Sequence, residues 1–466
     1  MHPLLAMLAL VTMACQPRSA EPDLARELAG AYPELVTPNG TVREFEIVAD
    51  ETEIALIDGE PLRVWAYNGT VPGPTLRLRL GETLRVRFTN RLPQETTIHW
   101  HGVRVPNAMD GVPNATQPPI APGESFVYEF TPKDAGTFWF HPHVRSSEQV
   151  ERGLYGLLIV EDAAPPPYSR DVTWILDDWL LGRDRQISPA FNTPHDLSHD
   201  GRWGNKITVN GRTDTQLQVA TGERVRLRLL NASNGRIYVP DLAGLDAKII
   251  AVDGLYTREP LPLGRFELAP GNRLDLDILI SGGGRSLVVS DVFSSRVANP
   301  LARIEIDGAP RAAATFPTPA RTKVPAWNGG LSMPVTHEFR LDARRGGRLG
   351  IEWTIDGKAF AGHEHTHAHD HAGLVLERGK WARLAFVNVS ARLHPIHLHG
   401  MFFKVLARDG IAVDEGFFRD TVLIHGRESI DIGVVPLDTG EWMMHCHILE
   451  HAEAGMMTMI SVRDGR

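Results

Sequence analysis

Leu78-Arg79-Leu80-Gly81-Glu82-Thr83-Leu84-Arg85-Val86-Arg87-Phe88-Thr89-Asn90 reads as a strand, a glycine turn and a second strand that ends in asparagine. The same phrase returns from Val219-Ala220-Thr221-Gly222-Glu223 to Leu230-Asn231, and from Leu376-Glu377-Arg378-Gly379-Lys380 to Val387-Asn388. Apolar residues alternate through the second strands (Leu84, Val86, Phe88; Val225, Leu227, Leu229), so each strand has one face to bury. A turn pair precedes each copy: Asn68-Gly69, Asn210-Gly211 and Asp356-Gly357. A period near 150 residues is that of a repeated domain rather than a solenoid, and each unit has the size of a Greek-key β-sandwich.

The rest of the chain agrees with an all-β protein of three consecutive domains. At 466 residues the length allows about three, and 43 glycines and 33 prolines supply many turns. Ala/Pro-rich stretches at Ala163–Pro167 and Ala309–Pro325 read as linkers, giving domains over 40–162, 168–308 and 326–466. A net charge of -9 spread along the chain carries no nucleic-acid footprint.

A second repeat carries chemistry. Gly136-Thr137-Phe138-Trp139-Phe140-His141-Pro142-His143 aligns with Gly440-Glu441-Trp442-Met443-Met444-His445-Cys446-His447, and His99-Trp100-His101 with His397-Leu398-His399. Imidazoles two apart on a strand share a face and can converge on one metal. The middle copy has no histidine at either place. Domains 1 and 3 are therefore expected to pack with pseudo-twofold symmetry, each giving four imidazoles to a cluster at their interface, with domain 2 as a spacer. Cys446, His451 and Met456, joined by His394, form a thiolate, two imidazoles and a thioether, the donor set of an electron-transfer copper.

With these motifs in order from about Glu44 to Val462, the chain resembles the multicopper oxidases, the family of laccases, copper-efflux oxidases, ascorbate oxidases and ferroxidases. The resemblance implies three cupredoxin-like domains and four copper ions. His394, Cys446, His451 and Met456 would hold the type 1 copper, and His99 and His397 the type 2. His101, His141 and His447 would hold one type 3 copper, and His143, His399 and His445 the other. It further implies four one-electron oxidations coupled to reduction of dioxygen to two waters. An axial methionine implies a moderate potential, suited to easy donors. The third repeat and the ligand distribution exclude a two-domain nitrite reductase.

Reduction of dioxygen consumes protons, so acids near the cluster are expected. Asp110, in Met109-Asp110-Gly111, matches the acid that the family places by its type 2 copper. Many bacterial relatives have a glutamate directly after the His451 position; here that residue is Ala452, which leaves Glu453 or Glu450 to substitute. His363, His365, His367, His369 and His371 alternate in an insert, read either as a recruiter of copper or as a solvated polar loop. His195 and His199 read as surface-loop residues of domain 2. The apolar run over residues 3–14 is of signal-peptide length and closes on Cys15, giving a signal over 1–20 of secretory or lipoprotein type and an exported chain, periplasmic or lipid-anchored. If Cys15 is lipidated, Cys446 is the other cysteine of two and structural disulfides are excluded.

The expected enzyme is thus a copper oxidoreductase with oxygen as acceptor, acting as a monomer on small phenolic or aromatic donors, on cuprous ion, or on both. The alternative is a non-catalytic copper-sequestering envelope protein on the same fold. Such a protein would have lost ligands that this chain keeps.

Overall fold

A computed structural model describes residues 36–465, except 58, 243, 295, 308, 310, 313–332 and 361–371. The N-terminal apolar run, Cys15 and the five histidines of the insert lie outside the described residues.

Three pairs of sheets follow one another along the chain. In the first, Val42–Ile57 lies between Glu60–Tyr67 and Thr83–Asn90, and the facing sheet carries His99–His101 and Gly136–His141. The second pair runs from Arg170 to Ile306 and the third from His337 to Arg463. In each domain the opening strand runs parallel to the strand after the repeated glycine turn: Val42–Ala49 with Thr83–Asn90, Arg170–Leu176 with Val225–Asn231, and His337–Leu341 with Leu384–Asn388. A second parallel pairing in the facing sheet of each domain, Leu76–Arg79 with Leu158–Glu161, Gln216–Val219 with Arg303–Ile306 and Ala372–Glu377 with Met459–Arg463, completes the Greek-key sandwich.

The repeated asparagine explains its own recurrence. Asn90 Nδ2 donates to the carbonyls of Gln94 and Ile120 while its Oδ1 accepts from Leu92 N. Asn231 makes the same three bonds with Arg236, Leu268 and Ser233, and Asn388 with Arg392, His425 and Ser390. Each is buried and ties the strand end to a distant loop, because carbonyls left there without a donor would be costly. The turn residues recur for a related reason. Asn68, Asn210 and Asp356 have φ of 54°, 52° and 54°, a left-handed backbone that asparagine and aspartate tolerate. Each also accepts a backbone N–H, from Val48, Ile175 and Arg340 respectively.

Each sandwich has its own apolar core: one around Phe88, Trp100 and Phe140, one around Leu227, Leu274 and Ile304, and one around Phe386, Trp442 and Ile460. A further cluster joins Trp139 of domain 1 to Trp179 and Leu230 of domain 2 and Leu449 of domain 3, so the domains meet through packed surfaces.

Candidate metal centre

Strand register builds the site. His99 pairs across the ladder with His141, and His397 with His445, so the two domains present the same cross-strand imidazole pair. Facing each other, the domains stack His99 on His399 at 3.8 Å and His101 on His397 at 3.7 Å between ring centroids. His101, His141 and His447 bring one ring nitrogen each within 4.8 Å of one another, and so do His143, His399 and His445. His99 joins His397 and His399 in a third such group.

Most of these rings are fixed at the far nitrogen. His99 Nδ1 donates to the Asp110 carbonyl at 2.8 Å, His141 Nδ1 to Pro142 O, His397 Nδ1 to Asp420 O and His445 Nδ1 to Cys446 O. A carbonyl only accepts, so each of these nitrogens carries the proton and Nε2 turns a lone pair inward. His399 Nδ1 donates to Asp110 Oδ2 at 2.8 Å, and His399 Nε2 then faces His445 Nε2 at 3.2 Å, lone pair against lone pair. The inward nitrogens of His99, His101, His141, His143, His397 and His447 are buried without a hydrogen-bond partner. Such nitrogens are costly unless a cation lies among them. Burial, reinforced by the neighbouring imidazoles, holds the ring pKa values of His101, His141, His143, His399 and His447 well below normal. The rings are therefore neutral, the form in which imidazole ligates metal.

Two buried carboxylates frame the cluster symmetrically. Asp110 meets His99 of its own domain through its carbonyl and His399 of domain 3 through its carboxylate. Its Oδ1 lies 3.3 Å from His99 Nδ1, a nitrogen whose proton already goes to the carbonyl. Asp420 meets His397 of its own domain through its carbonyl and His101 of domain 1 through its carboxylate at 3.3 Å. Gly111 permits the Asp110 arrangement: its φ is 82°, and a Cβ there would sit 1.9 Å from the Ile98 carbonyl oxygen.

The Cys446 site has the same logic. Cys446 Sγ lies 3.7 Å from His394 Nδ1 and 3.8 Å from His451 Nδ1, and those two nitrogens are 3.2 Å apart. His451 Nε2 donates to the His199 carbonyl at 2.7 Å. His394 Nε2 meets Ser390 Oγ, whose own proton goes to Asn388 Oδ1, so the serine accepts. Two Nδ1 lone pairs thus converge beside the thiol. Burial pushes the Cys446 thiol pKa up, so the proton would leave only in exchange for a cation. Met456 is buried in the same core as Cys446, its carbonyl accepting from Cys446 N.

Domain 2 is more than a spacer, contrary to the expectation from its missing histidines. Arg273, fully buried, donates to Asp420 through two nitrogens, and a Cβ on Gly271 would sit 2.9 Å from both His101 and His447. The segment with His195 and His199 reaches the Cys446 site. A Thr193–Asp196 capping box sets the short helix Pro194–Ser198; the Leu197 carbonyl accepts from Trp353 Nε1, and Trp353 packs on His451 at 4.2 Å. Sequence reading missed Asp420 and Arg273 because they belong to no local motif; contact across domains brings Asp420 to His101 and Arg273 to Asp420.

A cavity opens beside the cluster, with Arg145, Phe360, Met443, Glu453, Met457 and the cluster histidines His141, His143 and His445 among its walls. Glu453 is held there by Ser147 N and Asn192 Nδ2. Glu450 points elsewhere, accepting from Asn234 Nδ2 and Arg202 N in domain 2. On either side of the histidine insert, Phe360 N donates to Gly455 O and Ala372 pairs with Met459.

Comparison with known proteins agrees with this geometry. Residues 49–165, 170–281 and 333–466 match three family models, each described as multicopper oxidase. The chain is 30% identical to multicopper oxidase MmcO of Mycobacterium tuberculosis over 87% of its own length and 84% of that protein. It is 29% identical to multicopper oxidase mco of Staphylococcus aureus, over 92% of each. Its fold matches the crystal structure of a multi-copper oxidase from Pseudomonas thermotolerans with a TM-score of 0.81 at 34% identity, covering 91% of this chain and all of that one.

Proposed function

The chain belongs to the multicopper oxidase family, whose members are copper-dependent oxidoreductases, and from that premise we propose that it couples four one-electron oxidations near Cys446 to the reduction of dioxygen to two waters between domains 1 and 3. His394, Cys446, His451 and Met456 hold a type 1 copper in this reading. His99 and His397 hold the type 2 copper, His101, His141 and His447 one type 3 copper, and His143, His399 and His445 the other, four ions in all. Copper bound at these residues supplies the one-electron chemistry and the place where dioxygen is reduced. The observation that carries the reading is the facing of ring lone pairs, His399 Nε2 on His445 Nε2 and His394 Nδ1 on His451 Nδ1, each at 3.2 Å. A neutral pair of lone pairs that close is repulsive, and a cation between them reverses the sign.

The residues divide the remaining tasks. Cys446 is bonded to His445 and His447, which belong to the two groups of cluster imidazoles, so the covalent path from one centre to the other is one residue long. Asp110 orients His99 and His399 and keeps Oδ1 free of a hydrogen-bond partner, a place for a proton beside the cluster. Glu453 lines the same cavity as His141, His143 and His445, placed to bring protons to them.

We assign cuprous ion as the principal donor. Because His451 Nε2 already donates to the His199 carbonyl, a phenol hydroxyl cannot take that nitrogen, and donors meet the 193–199 segment instead. The exposed imidazoles of His195 and His199, 4.1 Å apart, suit a metal ion there. An exported location, supported by the apolar run over 3–14, would give access to oxygen and copper. The test is oxygen uptake by copper-loaded protein with cuprous ion and with a methoxyphenol. Faster uptake with cuprous ion, reduced by His195→Ala with His199→Ala, is the expected result. Dominant phenol oxidation that ignores both substitutions overturns the donor assignment. No uptake with either donor, in protein showing the blue thiolate band, overturns the oxidase reading and restores a copper-sequestering one.

A further inference from the structure

The cavity beside Glu453 has walls that oxygen and proton traffic do not explain. Strand Gly440–Cys446 pairs antiparallel with Met457–Arg463, setting Met443 opposite Met459 and His445 opposite Met457. Residues two apart on a strand share a face, and cross-strand partners share it too. Met443, His445, Met457 and Met459 therefore project from one face of the sheet. Met443 and Met457 line the cavity with His141, His143 and His445, while Met459 lies behind them, buried against Val112 and Met443. Among these imidazoles, His141 Nε2 and His143 Nε2 are buried without partners.

Any apolar side chain would let dioxygen pass, and a carboxylate or water serves a proton. A thioether adds one property: it is a neutral, soft ligand that selects cuprous ion over cupric ion and over hard cations. Two thioethers and three imidazoles share this cavity, weak soft ligands beside strong ones. We propose that this cavity is the loading route of the cluster, along which cuprous ion passes from Met457 and Met443 to His445, His143 and His141. The transfer is ligand exchange: copper–sulfur bonds break, copper–nitrogen bonds form, and no electron or proton changes place. It rests on the reading that the eight histidines hold copper.

The test uses the full chain stripped of copper, refilled anaerobically with cuprous ion and, separately, aerobically with cupric ion. Protein-bound copper is followed by atomic absorption after rapid desalting, with the blue thiolate band, read once the bound copper has been oxidised to the cupric state, as the independent reading of the Cys446 site and of folding. Met443→Leu with Met457→Leu keeps apolar volume and removes sulfur. The double variant should fill its cluster from cuprous ion about tenfold more slowly than the parent. Its final copper content, its filling from cupric ion and its oxygen uptake once loaded should match the parent, and Met459→Leu should load at the parent rate. Should the double variant lack the blue band, Met457→Leu alone, at a half-buried position, is measured in its place. Parent-like loading from cuprous ion overturns the proposal, and so does equal slowing with both oxidation states, which marks an effect of shape. A parent protein that fills only the Cys446 site overturns the cluster reading itself.

Discussion

Arg273→Met should do more damage than any other single change in domain 2. The guanidinium uses all five of its N–H donors: Nε to Thr137 O, Nη1 to Gly271 O and Asp420 Oδ1, and Nη2 to Asp253 O and Asp420 Oδ2. Those acceptors come from all three domains. Burial alone would push the Asp420 carboxyl up; Arg273 first, then the neighbouring His397 ring, hold it below the usual carboxylate range instead. Removing the arginine leaves a carboxylate buried and unpaired, a loss of about 3–5 kcal/mol. At about 2–4 °C per kcal/mol, the melting of the copper-free protein should fall by about 6–20 °C. Asp420 also holds His101 and His397, so copper affinity at the cluster should drop by about 10–100-fold while the Cys446 site keeps its own. Calorimetry of the copper-free chain, with copper content after equilibration in buffered copper, measures both. Melting within about 2 °C of the parent together with full copper content would refute the reasoning. Arg85→Met, at an exposed pair with Glu129, should change neither.

Further outcomes follow from single groups. Glu453→Gln should lower kcat for oxygen uptake by about 10²-fold with copper content unchanged, if the carboxyl in the cavity is the proton donor; unchanged kcat at every pH would remove it from that role. Asn388→Ala should strip the Arg392 and His425 carbonyls of their donor and destabilise the chain by about 1–3 kcal/mol, read as a lower melting temperature; unaltered melting would show that the repeat is not held there. Burial lowers the pKa of His445 and His451 to about 3, against an ordinary value of 6.5. With the folded value depressed, the unfolded chain binds protons first as pH falls, so stability is full above about 6.5 and lost progressively toward about 3. Melting of the copper-free protein should fall across that window, and a flat profile would contradict it.

Much of this protein is written in local pattern. The nine-residue step from Gly81 to Asn90, repeated at Gly222 and Gly379, encodes a glycine turn and an alternating strand, both local patterns, while the asparagine that ends it also reaches a carbonyl 30 or more residues away. The histidine pairs were legible for a similar reason: a period of two places both rings on one face whatever lies beyond the strand. His141 and His445 find their second partner in the next residue's carbonyl, but for His399 with Asp110 and His451 with the His199 carbonyl it lies far away in sequence and was not legible. Domain 2 shows the limit most clearly. With no histidine in the motif positions it reads as a spacer, yet Arg273, Gly271 and the His199 carbonyl touch both centres. The surroundings of Glu450 and Glu453 needed the fold as well, since three residues along one short helix set Glu450 against Asn234 and Arg202 of domain 2 and Glu453 between Ser147 of domain 1 and Asn192 of domain 2. Ligand type and spacing are properties of a strand and survive in the sequence; electrostatic and hydrogen-bond support is a property of surfaces that meet only after three sandwiches have packed.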